Sequence, residues 1–233
     1  MFSAYSFRPR AWVLVLAALA CAAGIALGQW QARRGAEKRA LGEQWDRALK
    51  APALELSAAP LQPGEYLLKR VSARGRFVPD KTVFLDNRLR HGRVGYEVVT
   101  PLRLGESSVH VLVDRGWLAA PPTRSELPQV RTPEGEVRID GIALAHPPRA
   151  LEIGDASPGR VRQNVEPARF AALSGLRLQP VVIQQRSALD DGLLRDWPRP
   201  DFRVQMHEAY ALQWYSLAAL AAILGLVFSF RKK

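Results

Sequence analysis

Two apolar stretches, one near each end, decide what this chain can fold into. The second lies in residues 207–233. It reads His-Glu-Ala-Tyr-Ala-Leu-Gln-Trp-Tyr-Ser, runs apolar from Leu217 to Phe230, and stops on Arg231-Lys232-Lys233. Between Ala211 and Phe230 the only ionisable side chain is Tyr215. A helix rising 1.5 Å per residue needs about 20 such residues to cross a bilayer core of roughly 30 Å. The first stretch, residues 11–27, is continuous and close to the minimum spanning length. The pattern predicts membrane helices over 11–30 and 210–230, short cytoplasmic tails over 1–10 and 231–233, and a central domain over 31–209.

The first stretch also fits a cleaved signal peptide, with Arg8 and Arg10 before it and the small residues Ala20 and Ala22 within it. A retained anchor fits better. The apolar run continues to Leu27 and closes on Gly28-Gln29-Trp30-Gln31, where a tryptophan suits the headgroup layer. Trp214 and Tyr215 supply the same aromatic belt on the second stretch. Basic residues do not set the orientation. Arg8, Arg10, Arg231, Lys232 and Lys233 on the tails are matched by Arg33, Arg34, Lys38, Arg39, Arg199 and Arg203 on the inner flanks. A short leading tail and a long following domain favour both termini in the cytoplasm and the central domain outside.

The formal charge of +11 over 233 residues comes mostly from arginine. No nucleic-acid-binding motif accompanies it, so nucleic acid is not an expected partner. Anionic lipid, an acidic partner or a plain solvated surface remain as readings. The single cysteine, Cys21, lies in the first apolar run. It excludes an internal disulfide, a CxxC pair, a covalent CxxCH haem and a thiolate zinc cluster.

Residues 36–50 read as a helix leaving the membrane, with Leu41, Trp45, Ala48 and Leu49 on one stripe. Short β-rich runs follow at 70–78, 82–86, 95–102, 108–118, 135–143, 161–164 and 181–186. The pair 82–86 and 95–102 reads as a hairpin whose long basic loop is 87–93. Pro121, Pro122, Pro128 and Pro133 make a stiff connection, and Pro167 opens a short helix stopped by Ser174-Gly175. Trp197-Pro198-Arg199-Pro200 is an extended tether. The expected fold is α+β: a hairpin of two transmembrane helices flanking an antiparallel β-rich sheet or barrel.

In such a hairpin, Gly28, Trp30, Gln31 and Arg34 share a slab with His207, Tyr210, Gln213 and Trp214. His207, Tyr210 and Trp214, at i, i+3 and i+7, fall on one helix face. A nitrogen ligand, aromatic walls and guanidinium groups that clamp carboxylates are what a haem requires. The same residues also serve as plain interfacial anchors. His91, His110 and His146 are scattered and read as surface or hydrogen-bonded loop residues. Asp190-Asp191-Gly192 reads as a turn. Val113-Asp114-Arg115-Gly116-Trp117 reads as a strand end with a buried charge pair, an Asp114 or Arg115 bond closing the sheet, and Trp117 in the core. No triad, nucleophile elbow, P-loop or dinucleotide fingerprint is present, and no enzymatic activity is expected.

The chain resembles the surfeit locus protein 1 family of cytochrome c oxidase assembly factors. The likeness is carried by Leu27-Gly28-Gln29-Trp30-Gln31 with Arg34, Asn87-Arg88 before Gly95-Tyr96, and Thr100-Pro101-Leu102. Val113-Asp114-Arg115-Gly116-Trp117 and His207 through Tyr210-Ala211-Leu212-Gln213-Trp214-Tyr215 complete it. The resemblance implies the bacterial plasma (inner) membrane with a periplasmic central domain, and a part in building the haem a-containing subunit I of the oxidase. It also implies haem a bound as cargo, with His207 on the iron. Trp30, Tyr210 and Trp214 would then wall the macrocycle, with Gln31 and Arg34 beside it and Arg34 on a propionate. Subunit I is the implied partner, and haem a synthase a further candidate. Glu208-Ala209 stands where a more apolar pair is expected, and Asp114 where the family often has asparagine. Two other readings stand beside this one. One is a haem-independent scaffold that contacts subunit I through 87–93 and the region of Arg115 and Trp117. The other is an unrelated anchored β module with an extracellular ligand.

Overall fold

The computed structural model describes residues 5–121, 127–150 and 159–232. Pro122 of the proline connection and Lys233 of the tail lie outside them. In chain order the elements are β1 (Tyr5–Phe7), α1 (Ala11–Lys50), β2 (Leu54–Leu56), α2 (Pro63–Tyr66), β3 (Arg70–Phe77), β4 (Val83–Arg90), β5 (Arg93–Leu104) and β6 (Val109–Ala119). There follow β7 (Val137–Leu144), β8 (Val161–Arg162), α3 (Pro167–Ser174), β9 (Arg177–Gln185), α4 (Val204–Val227) and β10 (Phe230–Lys232). They form two units: residues 1–44 with 199–233, and residues 45–198.

The first unit is an antiparallel helix pair. Helix α1 is a single element of 40 residues, not a membrane helix followed by a separate one over 36–50. The junction Gln31-Ala32-Arg33-Arg34-Gly35 contains no proline, and one glycine costs a helix only about 1 kcal/mol. Buried Gly24, Gly28, Gly35 and Gly42 line one stripe of α1, with half-buried Cys21, Gln31 and Lys38 between them. Their alternating three- and four-residue steps are those of a helix–helix seam. Helix α4 answers with Val204, His207, Ala211, Trp214, Ala218, Ala221 and Gly225. A Cβ at Gly24 would lie 2.9 Å from Ala218 Cβ, one at Gly28 2.5 Å from the Tyr215 ring, and one at Gly225 2.7 Å from Ala17 Cβ. Small residues are what allow backbones this close, where apolar surroundings supply no hydrophobic drive. The stripe on α4 passes through Ala211, so Tyr210 is 47% exposed and leaves the face it was expected to share with His207. The tails pair as a short ribbon, β1 with β10, where Phe7 and Phe230 meet edge to face at 5.4 Å. Both helices are long and apolar enough to cross a membrane.

The second unit is a closed five-stranded barrel in the order β3-β7-β9-β6-β5, sealed by β5 on β3 at Gly75 and Leu104. Strands β4 and β8 extend it on one edge and β2 on the other. The expectation of a wholly antiparallel sheet is corrected: β9 runs parallel to β6, β2 to β3 and β8 to β4. The chain from β6 to β9 passes through β7, β8 and α3, and a long connection of that kind permits parallel pairing where a tight hairpin does not. The loop expected at 87–93 is mostly strand. Strands β4 and β5 join through His91 and Gly92, whose φ values of 49° and 73° make a two-residue turn. Asn87, at φ 59°, sits in the bulge between Leu85 and Arg88.

The barrel interior holds Val71, Ala73, Leu102, Val111, Val113, Ile139, Val181 and Ile183. Their neighbours in sequence face outward, and there Leu112, Val182, Val99 and Leu85 are covered by Phe170 of α3. Strands β5 and β6 are therefore buried on both faces. Pro167 opens α3, and Gly175 at φ 72° closes it.

Candidate functional site

The first turns of α4 hold the polar part of the helix seam. His207 is half-buried, and its Nδ1 lies 2.7 Å from Gln31 Oε1 across the seam. An amide oxygen only accepts, so Nδ1 carries the proton in this pair and the lone pair falls on Nε2. Gly35 faces this pair: a Cβ there would lie in ordinary contact, 3.5 Å from His207 Cβ. Beside them Arg39 of α1 forms an ion pair with Glu208 of α4. Glu208, which breaks the apolar pattern expected next to His207, thus meets a guanidinium.

The other expected site residues spread outward from this point. Trp30 is 53% exposed. Trp214 is half-buried, and its carbonyl oxygen lies 3.0 Å from where a Gly24 Cβ would sit. Arg34 does not reach across the seam; its Nη1 donates to Glu37 on the same helix at 2.9 Å. The structure brings His207 and Gln31 together and leaves Trp30, Arg34 and Tyr210 on outer faces. One turn before His207 a cavity of about 650 Å³ opens, lined by Arg39, Gly42, Glu43 and the segment Arg199 to Met206. The sequence reading missed this cavity, though the three arginines that line it were named among the basic flanks.

The barrel unit carries its own buried charges, which also escaped the sequence reading apart from Asp114 and Arg115. Arg115 is fully buried and donates to Asp191, Thr132 and the Arg131 carbonyl, at 3.0, 2.8 and 2.8 Å. Its guanidinium lies over Phe77 at 4.6 Å. Arg195 meets the same Asp191 oxygen at 2.6 Å. Asp191 is therefore more than the turn residue expected, while its neighbour Asp190 is exposed and pairs with Arg131.

Glu97 is buried between Arg88 and Arg90, at 3.2 and 2.8 Å. Burial raises the pKa of its carboxyl, against the pull of both arginines. Asp114 lies nearby with no exposed surface, and burial and then Glu97 push its carboxyl well above the ordinary range. Trp117 Nε1 donates to the Arg88 carbonyl at 2.7 Å, and Trp197 Nε1 to the Gln185 carbonyl at 2.6 Å. Arg88, Arg115 and Trp117 are thus held inside the unit and are not free for a partner. His110 is buried within β6, where desolvation lowers its pKa, and is not a loop residue. His91 pairs with Asp196, and His146 Nδ1 lies 2.7 Å from the Pro147 carbonyl. Among the described residues no three His, Cys, Asp or Glu side chains cluster as metal ligands.

These features define a class: a closed five-stranded β barrel in a chain whose two long apolar helices pair through a glycine seam with one histidine in it. The chain belongs to the SURF1 family, whose model matches residues 18–219. A SURF1-like protein of Drosophila melanogaster is 28% identical over 93% of this chain and 76% of its own length. Surfeit locus protein 1 of Homo sapiens is 25% identical over 91% of this chain and 75% of its own. The cytochrome oxidase assembly protein SHY1 of Saccharomyces cerevisiae is 28% identical over 53% of this chain and 33% of its own.

Proposed function

We propose that this protein is a membrane-anchored, non-enzymatic assembly factor for cytochrome c oxidase that holds haem a for delivery to subunit I. The placement is a bacterial plasma membrane crossed by both apolar helices, with the termini in the cytoplasm and the barrel unit periplasmic. Family membership and the name of the yeast relative, a cytochrome oxidase assembly protein, support the oxidase part.

One observation carries the haem part: Gln31 Oε1 holds Nδ1 of His207. Histidine ligands to metals commonly donate their second ring nitrogen to such an acceptor, which fixes the tautomer and aims the free nitrogen. His207 Nε2 is then the nitrogen for the iron. Trp214, half-buried on the same stripe as His207, offers apolar surface to the macrocycle; Trp30 and Tyr210, on outer faces, would meet only its rim, and Arg34 would have to release Glu37 to meet a propionate. The chain's own work is to orient the imidazole, shield one face and hold the acid groups; the iron and its chemistry belong to the cargo.

The test is the visible spectrum of protein purified from a host that makes haem a. His207→Ala should abolish the Soret band and oxidase support, and Gln31→Leu should weaken binding by about tenfold or more. Full absorbance in His207→Ala would reject the assignment.

A second reading is a scaffold that binds subunit I and never touches haem. The large apolar side chains exposed along both helices, among them Leu16, Leu19, Leu220 and Ile223, favour it, because they suit neighbouring helices as well as lipid. A colourless preparation that still co-purifies subunit I would establish it.

A further inference from the structure

The cavity before α4 has the chemistry of an acid receptor. Arg203 stands at the N-cap of α4 with φ 54° and gives the helix no side-chain cap. The first-turn N–H groups of Val204, Gln205 and Met206 therefore have no acceptor within the helix. Arg203 is exposed, and its guanidinium has no partner among the described residues. Arg39 adds a second guanidinium, of which the pair with Glu208 engages only one nitrogen. Phe202 and Met206 supply apolar wall. Two acids also line the cavity. Asp201 is engaged by the backbone N–H of Arg203 at 2.8 Å, and Glu43 has a partner of its own.

The cavity lies next to the histidine site along the helix pair: its lining ends at Met206 on one chain segment and Arg39 on the other. Val204 precedes His207 by one turn on the same face of α4, and Arg203 caps that turn, a rise of about 6 Å. On α1, Arg39 follows Gly35 by one turn, and Gly35 faces His207. Both steps lead away from the apolar stretches, toward water. A haem is an apolar disc with its two carboxylates on one edge, so its orientation is decided by where those carboxylates find donors. Arg34 already has Glu37; Arg203 has no ion pair to break.

Resting on the reading that haem occupies His207, we propose that this cavity receives its carboxylate edge. Arg203 and the first-turn amides of α4 are the receptors, and the acid groups point away from the bilayer.

The experiment titrates the full-length protein in nanodiscs with haem a and with its dimethyl ester, which keeps the ring and iron and removes the negative charges. The unaltered protein should bind the acid form at least about tenfold more tightly than the ester. Arg203→Gln should erase that preference by weakening the acid form alone, while the histidine-ligated Soret signature persists in both. Equal binding of acid and ester by the unaltered protein, or an Arg203→Gln variant that keeps the preference, overturns the orientation. Failure of the underlying reading looks different: neither form gives a histidine-ligated spectrum in the unaltered protein, and the orientation falls with it.

Discussion

Asp114 has no exposed surface, and neither of its carboxylate oxygens finds a hydrogen-bond partner among the described residues. A bare carboxylate there would be costly, and burial keeps the proton on. The sign follows from linkage. In the unfolded chain this group ionises near its ordinary value of 3.8, while in the folded chain it does so only well above that. The proton therefore favours the folded state, and that contribution is complete below pH 3.8, then lost as pH rises toward the folded value. Asparagine has nearly the same shape and never ionises. Asp114→Asn should gain on the unaltered protein as pH rises from 4 to 8, read as a widening gap in urea midpoints. Arg115 is a different case: burial lowers the pKa of its guanidinium, and the hydrogen bond and charge of Asp191 oppose that shift. Arg115→Met would leave Asp191 with Arg195 as its one paired cation, and should cost about 3 kcal/mol or more in the same assay.

Elements differ in how far the sequence announces them. The glycine seam of α1 predicts that Gly24→Leu, which drives a side chain into Ala218 and the Trp214 carbonyl, costs about 1–3 kcal/mol and separates His207 from Gln31. A lowered melting midpoint of the full-length variant against the unaltered full chain would show it. Both long helices were legible because an uninterrupted apolar run has few alternatives. Seven of the strands were legible from alternating runs broken by glycine and proline. The unbroken length of α1 was not, because Gly35 after Arg33-Arg34 looks like a breaker until the facing His207 is seen beside it. Nor was the inward turn of Arg88 and Arg90, since a basic stretch reads as solvated unless one knows that Glu97 lies across the hairpin. Within the candidate site, pairing His207 with Gln31 needed only the hairpin. Tyr210 misled because three aromatic or polar residues at helical spacing do not reveal which neighbour, here Ala211, takes the seam.

At the scale of the molecule, the barrel unit owns its core and closes its own sheet. Residues 45–198 should therefore fold alone and melt in one cooperative step, without binding haem. Trp45 belongs to this unit, buried to 2% exposure with Arg186 over its ring. Trp45→Ala should cost the fragment about 3–5 kcal/mol, measured by its thermal midpoint. Helix α1 has a further consequence. Its 40 residues make a rod of about 60 Å, roughly twice the thickness of a hydrocarbon layer. With residues 11–27 submerged, the portion from Gly28 to Gln44 stands some 25 Å proud of the lipid tails. That stretch is a yardstick graduated at every turn. Nitroxides placed at Arg33, Glu37 and Gln44 should see oxygen give way to water-soluble relaxants in steps, and the sequence position at which the two balance would locate the membrane surface.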